Sequence, residues 1–409
     1  MKKVISVLAL ASVFAAGSAF ASGYRIPEQS SDSVAKAGAH IASTKGADTS
    51  FYNPANMAWA DDAWLTEIDL NYIHLATIDY TDSRTSTMNG ASSTENFLLP
   101  TFFLVSPNYN DFRFGLSLTA PYGLAKRWEQ PFPGLSAKKF ELKVFDLNPT
   151  VSYEINKYVS IAGGARLLFS TATAQNGGTN PTNGVSHDMF LAGDWGTDWG
   201  YNLALAVRPN EQSNISVTYR SNVDLELSAD ADFASSFPVP WQVSTTGDLS
   251  IPAPAVMTLA GAYTWDKLTI ELAWDRTFWS EYEFFNLEIA NPMGEAGFGR
   301  AIPKNWDDTD AFRIGAEYEF NDSFTGLAGF TIDANPIPTE TLGFELPDSD
   351  AYLFSIGGRY IVNEKMELGL GILYDYKESR SVSNNNGGID GEFENASALF
   401  ISTGLKYKF

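Results

Sequence analysis

Hydrophobic and polar residues alternate one by one along much of this chain. At the C-terminus, "NASALFISTGLKYKF" sets Leu399, Ile401, Leu405, Tyr407 and Phe409 on one face and Ala398, Ser402, Gly404, Lys406 and Lys408 on the other. "ISVTYRSNVDLEL" puts Ile215, Val217, Tyr219, Val223, Leu225 and Leu227 against Ser216, Thr218, Arg220, Asn222, Asp224 and Glu226. "KMELGLGILYDY" opposes Met366, Leu368, Leu370, Ile372 and Tyr374 to Glu367, Gly369, Gly371 and Asp375. A period of two is the signature of a strand with one apolar face. These runs reach roughly 9–15 residues, against about 5–6 for an ordinary strand, and aromatics sit near the ends of their apolar faces. The pattern predicts an all-β fold: a transmembrane antiparallel β-barrel, apolar toward lipid and polar or small toward the lumen.

About fourteen such segments can be placed, starting near residues 64, 95, 112, 139, 157, 197, 213, 247, 267, 309, 323, 350, 365 and 395. Short polar connections such as "PNYND", "EINKY", "RPNEQ" and "VNEK" alternate with long ones, the asymmetry expected of periplasmic turns and extracellular loops. An even strand number puts both termini in the periplasm.

Two stretches depart from the pattern. The third segment begins regularly, then meets Pro121, which has no N–H, followed by Tyr122 and Gly123. Both breakers weaken a ladder and are usual at edges, bulges and bends. Residues 22–63 are rich in Ala, Ser and Gly, with a short helical stretch predicted over 33–42. Tyr24, Ile26, Phe51, Tyr52, Met57 and Trp59 make that stretch too apolar for a loose tail, and it is read as a hatch folded inside the barrel.

The chain opens "MKKVISVLALASVFAAGSAFA", a basic start, an apolar run and a small-x-small site, so residues 1–21 read as a secretory signal peptide. The expected organisation is leader 1–21, hatch 22–63 and barrel 64–409. A net charge of −22 argues against a nucleic-acid partner. The chain has no cysteine, which excludes a disulfide framework and a thiolate metal site. Only His40, His74 and His187 are available for acid–base chemistry, and none has an evident partner by spacing. No catalytic residue, metal site or cofactor is expected.

With this pattern in place, the chain resembles the FadL family of outer-membrane transporters for long-chain fatty acids and other hydrophobic compounds. The resemblance is carried by "SGYRIPEQSSDSVAKAGA", with Ser22, Gly23 and Tyr24 at the mature start, and by Asn53, Pro54 and Ala55 in "FYNPANMAW". "PYGLA", "TYRSNVDLEL", "IDANPIP" and "LPDSDAYLFSIGGRY" follow in the family's order. It implies a fourteen-stranded barrel blocked by an N-terminal hatch. Ligand is caught in an outer groove, passed to a lumen pocket and released sideways where strand three kinks. Pro121, Tyr122 and Gly123 would form that lateral exit, with the Asn-Pro-Ala stretch beside it. Backbone bared at the kink must find partners, and the amide of Asn53 is suited to supply them.

Apolar residues of the long connections are the candidates for the outer groove: Phe132, Leu135, Phe190, Phe237 and Trp241. Arg113, Arg166, Arg220, Arg313 and Arg359 fall on the lumen face by alternation, as do Glu226, Glu271, Asp275, Glu317 and Glu319. Arg166 and Arg220 are the candidate partners for a ligand carboxylate. Where the fatty-acid members carry a basic ligand partner near the end of strand five, this chain has Asn176, which leaves neutral aromatic or alkane hydrocarbons as the alternative cargo. A surface adhesin or phage receptor is a third reading. The expected partners are a hydrophobic small molecule and outer-membrane lipid with lipopolysaccharide, for a monomer in the outer membrane of a Gram-negative bacterium.

Overall fold

A computed structural model describes residues 23–180 and 183–409. The expected leader and Ser22 lie outside the described residues. Fourteen antiparallel strands close into one barrel: β1 (Leu65–Leu75), β2 (Glu95–Val105), β3 (Phe112–Arg127), β4 (Lys139–Asn156), β5 (Val159–Thr179), β6 (Gly196–Asn210), β7 (Ser213–Arg220), β8 (Val256–Trp265), β9 (Leu268–Thr277), β10 (Thr309–Asn321), β11 (Phe324–Asp333), β12 (Ala351–Asn363), β13 (Met366–Lys377) and β14 (Ser397–Lys408). Each pairs with the next, and β14 pairs with β1 from Leu65↔Lys408 to Leu75↔Ala398, which closes the ring. Every predicted segment has its strand.

The alternation is inside out relative to a water-soluble fold. In β1, Ile68, Leu70 and Tyr72 are exposed while Glu67, Asp69 and Asn71 are buried. Lipid is the only solvent that favours such a surface over so many strands. Tyr109, Tyr153, Tyr158, Trp265, Tyr318, Tyr360 and Tyr407 are exposed around the short-turn end, where a girdle of aromatic residues meets the interface.

One segment read as continuous is broken. β7 ends at Arg220, and a new strand, Val223–Ser235, starts after Ser221–Asn222. Below the break Ile215 and Val217 face outward; above it Val223, Leu225 and Leu227 are buried in an apolar cluster. The amide of Ser221 is held by the Tyr201 carbonyl, and its hydroxyl accepts from the Tyr201 amide, so the strand turns there. Glu226, expected toward the lumen, is therefore exposed on the opposite face, and Glu319 is exposed at the rim. At the long-loop end, 186–193, 223–235, 241–253 and 287–289 pair side by side as a sheet that extends the wall beyond the barrel.

Residues 23–63 run through the lumen. α1 (Ser31–Ala35) is shorter than the helix predicted over 33–42, because Ala37 and Gly38 take left-handed conformations. The Gly38 amide then reaches back to the Ser33 carbonyl, a hydrogen-bonded C-terminal stop. Glycines on the inner wall let this helix approach. A Cβ at Gly329 would lie 2.1 Å from the Lys36 carbonyl carbon, and one at Gly371 would lie 2.5 Å from the Ser31 carbonyl oxygen.

Candidate functional site: a gap in the wall and the segment behind it

β2 and β3 pair only from Phe102↔Leu118 to Val105↔Gly115. Above that the two strands separate, and they rejoin where the Ser93 amide donates to the Arg127 carbonyl and Ser92 bridges Trp128. The wall therefore holds a window bounded by residues 95–101 on β2 and 119–126 on β3.

The cause is local. On its other side β3 pairs with β4, and the register slips by one residue between Thr119↔Asp146 and Tyr122↔Val144. The extra residue makes a β-bulge at Ala120–Pro121, which bends the strand. Residues 119–126 are then buried on both faces. Gly123, the second of the two breakers, is in register with Lys143 and has no left-handed φ; the proline bulge makes the bend. The other edge of the window carries Pro100 in "FLLPTFFLV", a second breaker that the reading of β3 overlooked. A proline inside an apolar strand was the available signal.

The backbone freed by the bulge is met from inside. The Ile26 amide donates to the Pro121 carbonyl at 2.8 Å, the Gly123 amide to the Tyr24 carbonyl at 2.9 Å, and Arg25 bridges Tyr122. The side chain of Gln29 accepts from the Ala120 amide at 2.8 Å and donates to the Ala120 carbonyl at 3.1 Å. Asn53 does not serve the bulge: its amide donates to the Ile41 carbonyl and to Ser216 Oγ. Pro54 and Ala55 open a 3₁₀ turn over Pro54–Trp59, packed beside β4, β5 and β6.

Charges fasten the lumen segment to the wall. Asp32 meets Lys406 Nζ at 2.5 Å and Arg359 at 3.2 Å, and Lys36 meets Glu317 at 2.6 Å. Glu271 accepts from the amides of Ile41, Ala42 and Ser43. Arg313 binds Asp275, Glu28 and the Ala37 carbonyl. His40 and Asp48 pair at 2.8 Å within the segment itself. Arg113 donates to the carbonyls of Ala60, Asp61 and Ser106. Three of the five lumen arginines thus have protein carbonyls or carboxylates that account for them.

Arg166 and Arg220 differ. Both bind the same oxygen of Asp146, at 2.8 and 2.7 Å, so two guanidinium groups share one carboxylate. One positive charge is left over. Arg220 lies over the Phe51 ring at 4.4 Å and lines a cavity of about 50 Å³ with Arg25, Ile26, Tyr52, Pro121, Tyr122 and Val256. The cavity thus joins a spare cation to the bulge. Arg166 is not in its lining; it is buried beside it and donates to the Ser221 carbonyl.

The candidate groove residues do not converge. Phe132 and Leu135 lie on α2 (Pro131–Ala137), where Phe132 packs on Tyr80 and Phe344. Trp241 packs on Phe298 across the extension, whereas Phe190 points to the outer face of the same sheet and Phe237 is exposed at a loop tip. Strand parity puts Leu191, not Phe190, inside. Asn176 has a sulfur contact to Met189. Beneath the extension, Tyr24 stands against Trp279 at 4.7 Å and Trp306 at 5.6 Å, and its hydroxyl donates to the Pro252 carbonyl. Gly23 must be glycine here: its φ is +66°, and a Cβ would come within 2.8 Å of both indoles.

A closed barrel with lipid-facing apolar rows and a filled lumen is an outer-membrane protein. The profile of the family described as outer membrane protein transport protein (OMPP1/FadL/TodX) matches residues 12–409, and the chain belongs to that family. It is accordingly an outer-membrane transport protein and not an enzyme. It is 25% identical over 438 residues to the long-chain fatty acid transport protein of Salmonella typhi, covering 99% of this chain and 98% of that one. Its fold is similar to a crystal structure of a Pseudomonas aeruginosa FadL homologue, with TM-score 0.83 and 18% identity over 95% of this chain and 100% of the other. It is also similar to the toluene transporter TodX of P. putida, with TM-score 0.72 and 17% identity over 93% and 98% of the two chains.

Proposed function

We propose that this protein carries long-chain fatty acids passively across the outer membrane, releasing them sideways through the β2–β3 window. The observation that carries the reading is the juxtaposition of the bulge at Pro121, the unpaired stretch of β2 and β3, and a cavity that reaches Arg220. A chain of about 16 carbons gains roughly 0.8 kcal/mol per methylene on leaving water, so exit into the bilayer is downhill without an energy source. Residues 22–63 act as the hatch, and both chain termini face the periplasm, on the side of the short turns. Ligand is gathered by the long connections, with Trp241 and Phe132 packed against the inner apolar cluster and Leu135 on the same helix as Phe132. The protein works as a monomer among outer-membrane lipid and lipopolysaccharide.

A carboxylate is favoured over a neutral headgroup by the surplus charge at Arg166 and Arg220. The similarity to a toluene transporter and the absence of a cation at Asn176 favour a second reading, in which neutral hydrocarbons are the cargo. Uptake of radiolabelled oleate and toluene by cells that lack their own transporter separates the two. The fatty-acid reading expects oleate uptake to rise on expression; a rise for toluene alone replaces it with the hydrocarbon reading.

A further inference from the structure

One buried cation in the wall has no hydrogen-bond or ion-pair partner among the described residues. Lys126 lies on β3 above the bulge, one residue before the hydrogen bond that closes the window at Arg127. Its side chain is 2% exposed, and no ion pair or hydrogen bond reaches its ammonium among the described residues. Glu95 on β2 attracts it only from beyond ion-pair distance. An ammonium held this deep without a protein partner favours an anion beside it.

The space for one is present. A cavity of about 20 Å³ is lined by Lys126, Lys377, Leu75, Ile78, Leu346 and Pro347. That is room for a water or for headgroup oxygens and no more. Lys377 is already paired with Asp348, which leaves Lys126 as the unused charge. Below the cavity the lining is apolar: Leu75 shares a cluster with Phe97 and Leu99 of β2 and Ala120 and Ala125 of β3, the two edges of the window.

We infer that Lys126 is a second carboxylate station, holding the headgroup of an amphiphile at the upper rim of the window while its hydrocarbon tail lies along the Phe97–Leu99 edge. This rests on the lateral-release reading and adds a residue to it. The station differs from the Arg220 cavity in place and in partner, because Arg220 shares Asp146 whereas Lys126 has no protein carboxylate in contact. A ligand passing outward exchanges one cation for the next, so its carboxylate is not stripped bare while the tail moves into lipid.

Titration of the purified full-length protein in a non-ionic detergent with oleate, and separately with oleyl alcohol, tests this. Two classes of oleate site are expected. Lys126→Gln should weaken one of them roughly tenfold or more, Lys126→Arg should restore it, and Arg220→Gln should affect the other. Oleyl alcohol should bind alike to wild type and Lys126→Gln. The N-hydroxysulfosuccinimide ester of oleate should acylate Lys126, mapped by mass spectrometry, and free oleate should block the labelling. Superimposable oleate curves for wild type and Lys126→Gln, with Arg220→Gln still impaired, would overturn the Lys126 station and leave the transport reading standing. No oleate binding by wild type would overturn both.

Discussion

The carbonyl of Pro121 accepts a 2.8 Å hydrogen bond from the amide of Ile26, so a strand of the barrel wall is paired with the lumen segment in place of its neighbour in the sheet. Unpaired backbone at membrane depth costs several kcal/mol per group. Here the cost is met from inside by Tyr24, Ile26 and Gln29, which makes the gap in the wall and the position of the N-terminal segment one structural fact.

Gln29 is the side chain most committed to that arrangement. Its amide group serves both backbone groups of Ala120 and the Ile26 carbonyl, while its own carbonyl accepts from Thr101. Gln29→Ala leaves the Ala120 groups bare at a cost of about 1–3 kcal/mol each. The expected outcome is a leakier barrel, read as more frequent openings in planar-bilayer conductance; unchanged conductance would mean that the Tyr24 and Ile26 bonds suffice.

Arg220 carries the charge argument. Arg220→Gln removes one of the two guanidinium groups on Asp146 and leaves Arg166 to neutralise it, so the surplus charge at the cavity disappears. A charge-assisted hydrogen bond contributes about 1.5–3 kcal/mol, and oleate binding at this cavity should weaken roughly tenfold to a hundredfold. Binding of a long-chain alcohol should hardly change. Equal losses for both ligands would point to a packing role beside Phe51.

Lys406 is the wall's counter-ion to the lumen segment. Its ammonium meets Asp32 and lies within 3.7 Å of Glu67 and 3.5 Å of Glu367. Removing one member of a buried ionic network exposes the others to uncompensated desolvation, typically at about 3–5 kcal/mol. Lys406→Met should therefore lower the temperature at which the folded barrel converts to its slower-migrating form on a gel, while a substitution at exposed Lys365 should not.

Asp348 gives a pH dependence with a definite sign. It lies in the connection after β11, accepts from the Gly23 amide and pairs with Lys377, yet burial pushes its carboxyl up to about 6. A carboxyl whose pKa is raised on folding stabilises the fold below its unfolded value, and that contribution is lost as pH rises through the folded value. Between pH 4 and pH 7 the wild type should lose stability relative to Asp348→Asn, measured by urea unfolding of both proteins across that range. A constant difference would show that Lys377 keeps the carboxylate ionised throughout.

Much of the fold was legible because a barrel in lipid writes its two faces directly onto the sequence. The inner row Glu67, Asp69 and Asn71 against the outer row Ile68, Leu70 and Tyr72 needs only a period of two. The glycines at 369, 371 and 404 were legible as lumen residues for the same reason, although the helix they make room for spans Ser31–Ala35 rather than 33–42. The frame failed where the chain changes course without a strong breaker: Ser221–Asn222 reverses the faces, and nothing in their chemistry demands it. At β3 the break was evident and both breakers were credited with it; proline makes the bulge by lacking a donor, while Gly123 stays in ordinary strand geometry. Gln29 and Lys406 were not legible as wall and lumen partners. Their contacts join residues far apart in the chain, and an isolated Gln or Lys carries no local pattern.

The most direct test of the account removes the bulge. Deleting Pro121 restores the register between Thr119↔Asp146 and the pairs that follow, so that β3 can run straight and resume its ladder with β2. With comparable amounts of folded protein in the outer membrane, wild type should support uptake of radiolabelled oleate and the Pro121 deletion should reduce it to background. Equal uptake by the two proteins would contradict lateral release through this window.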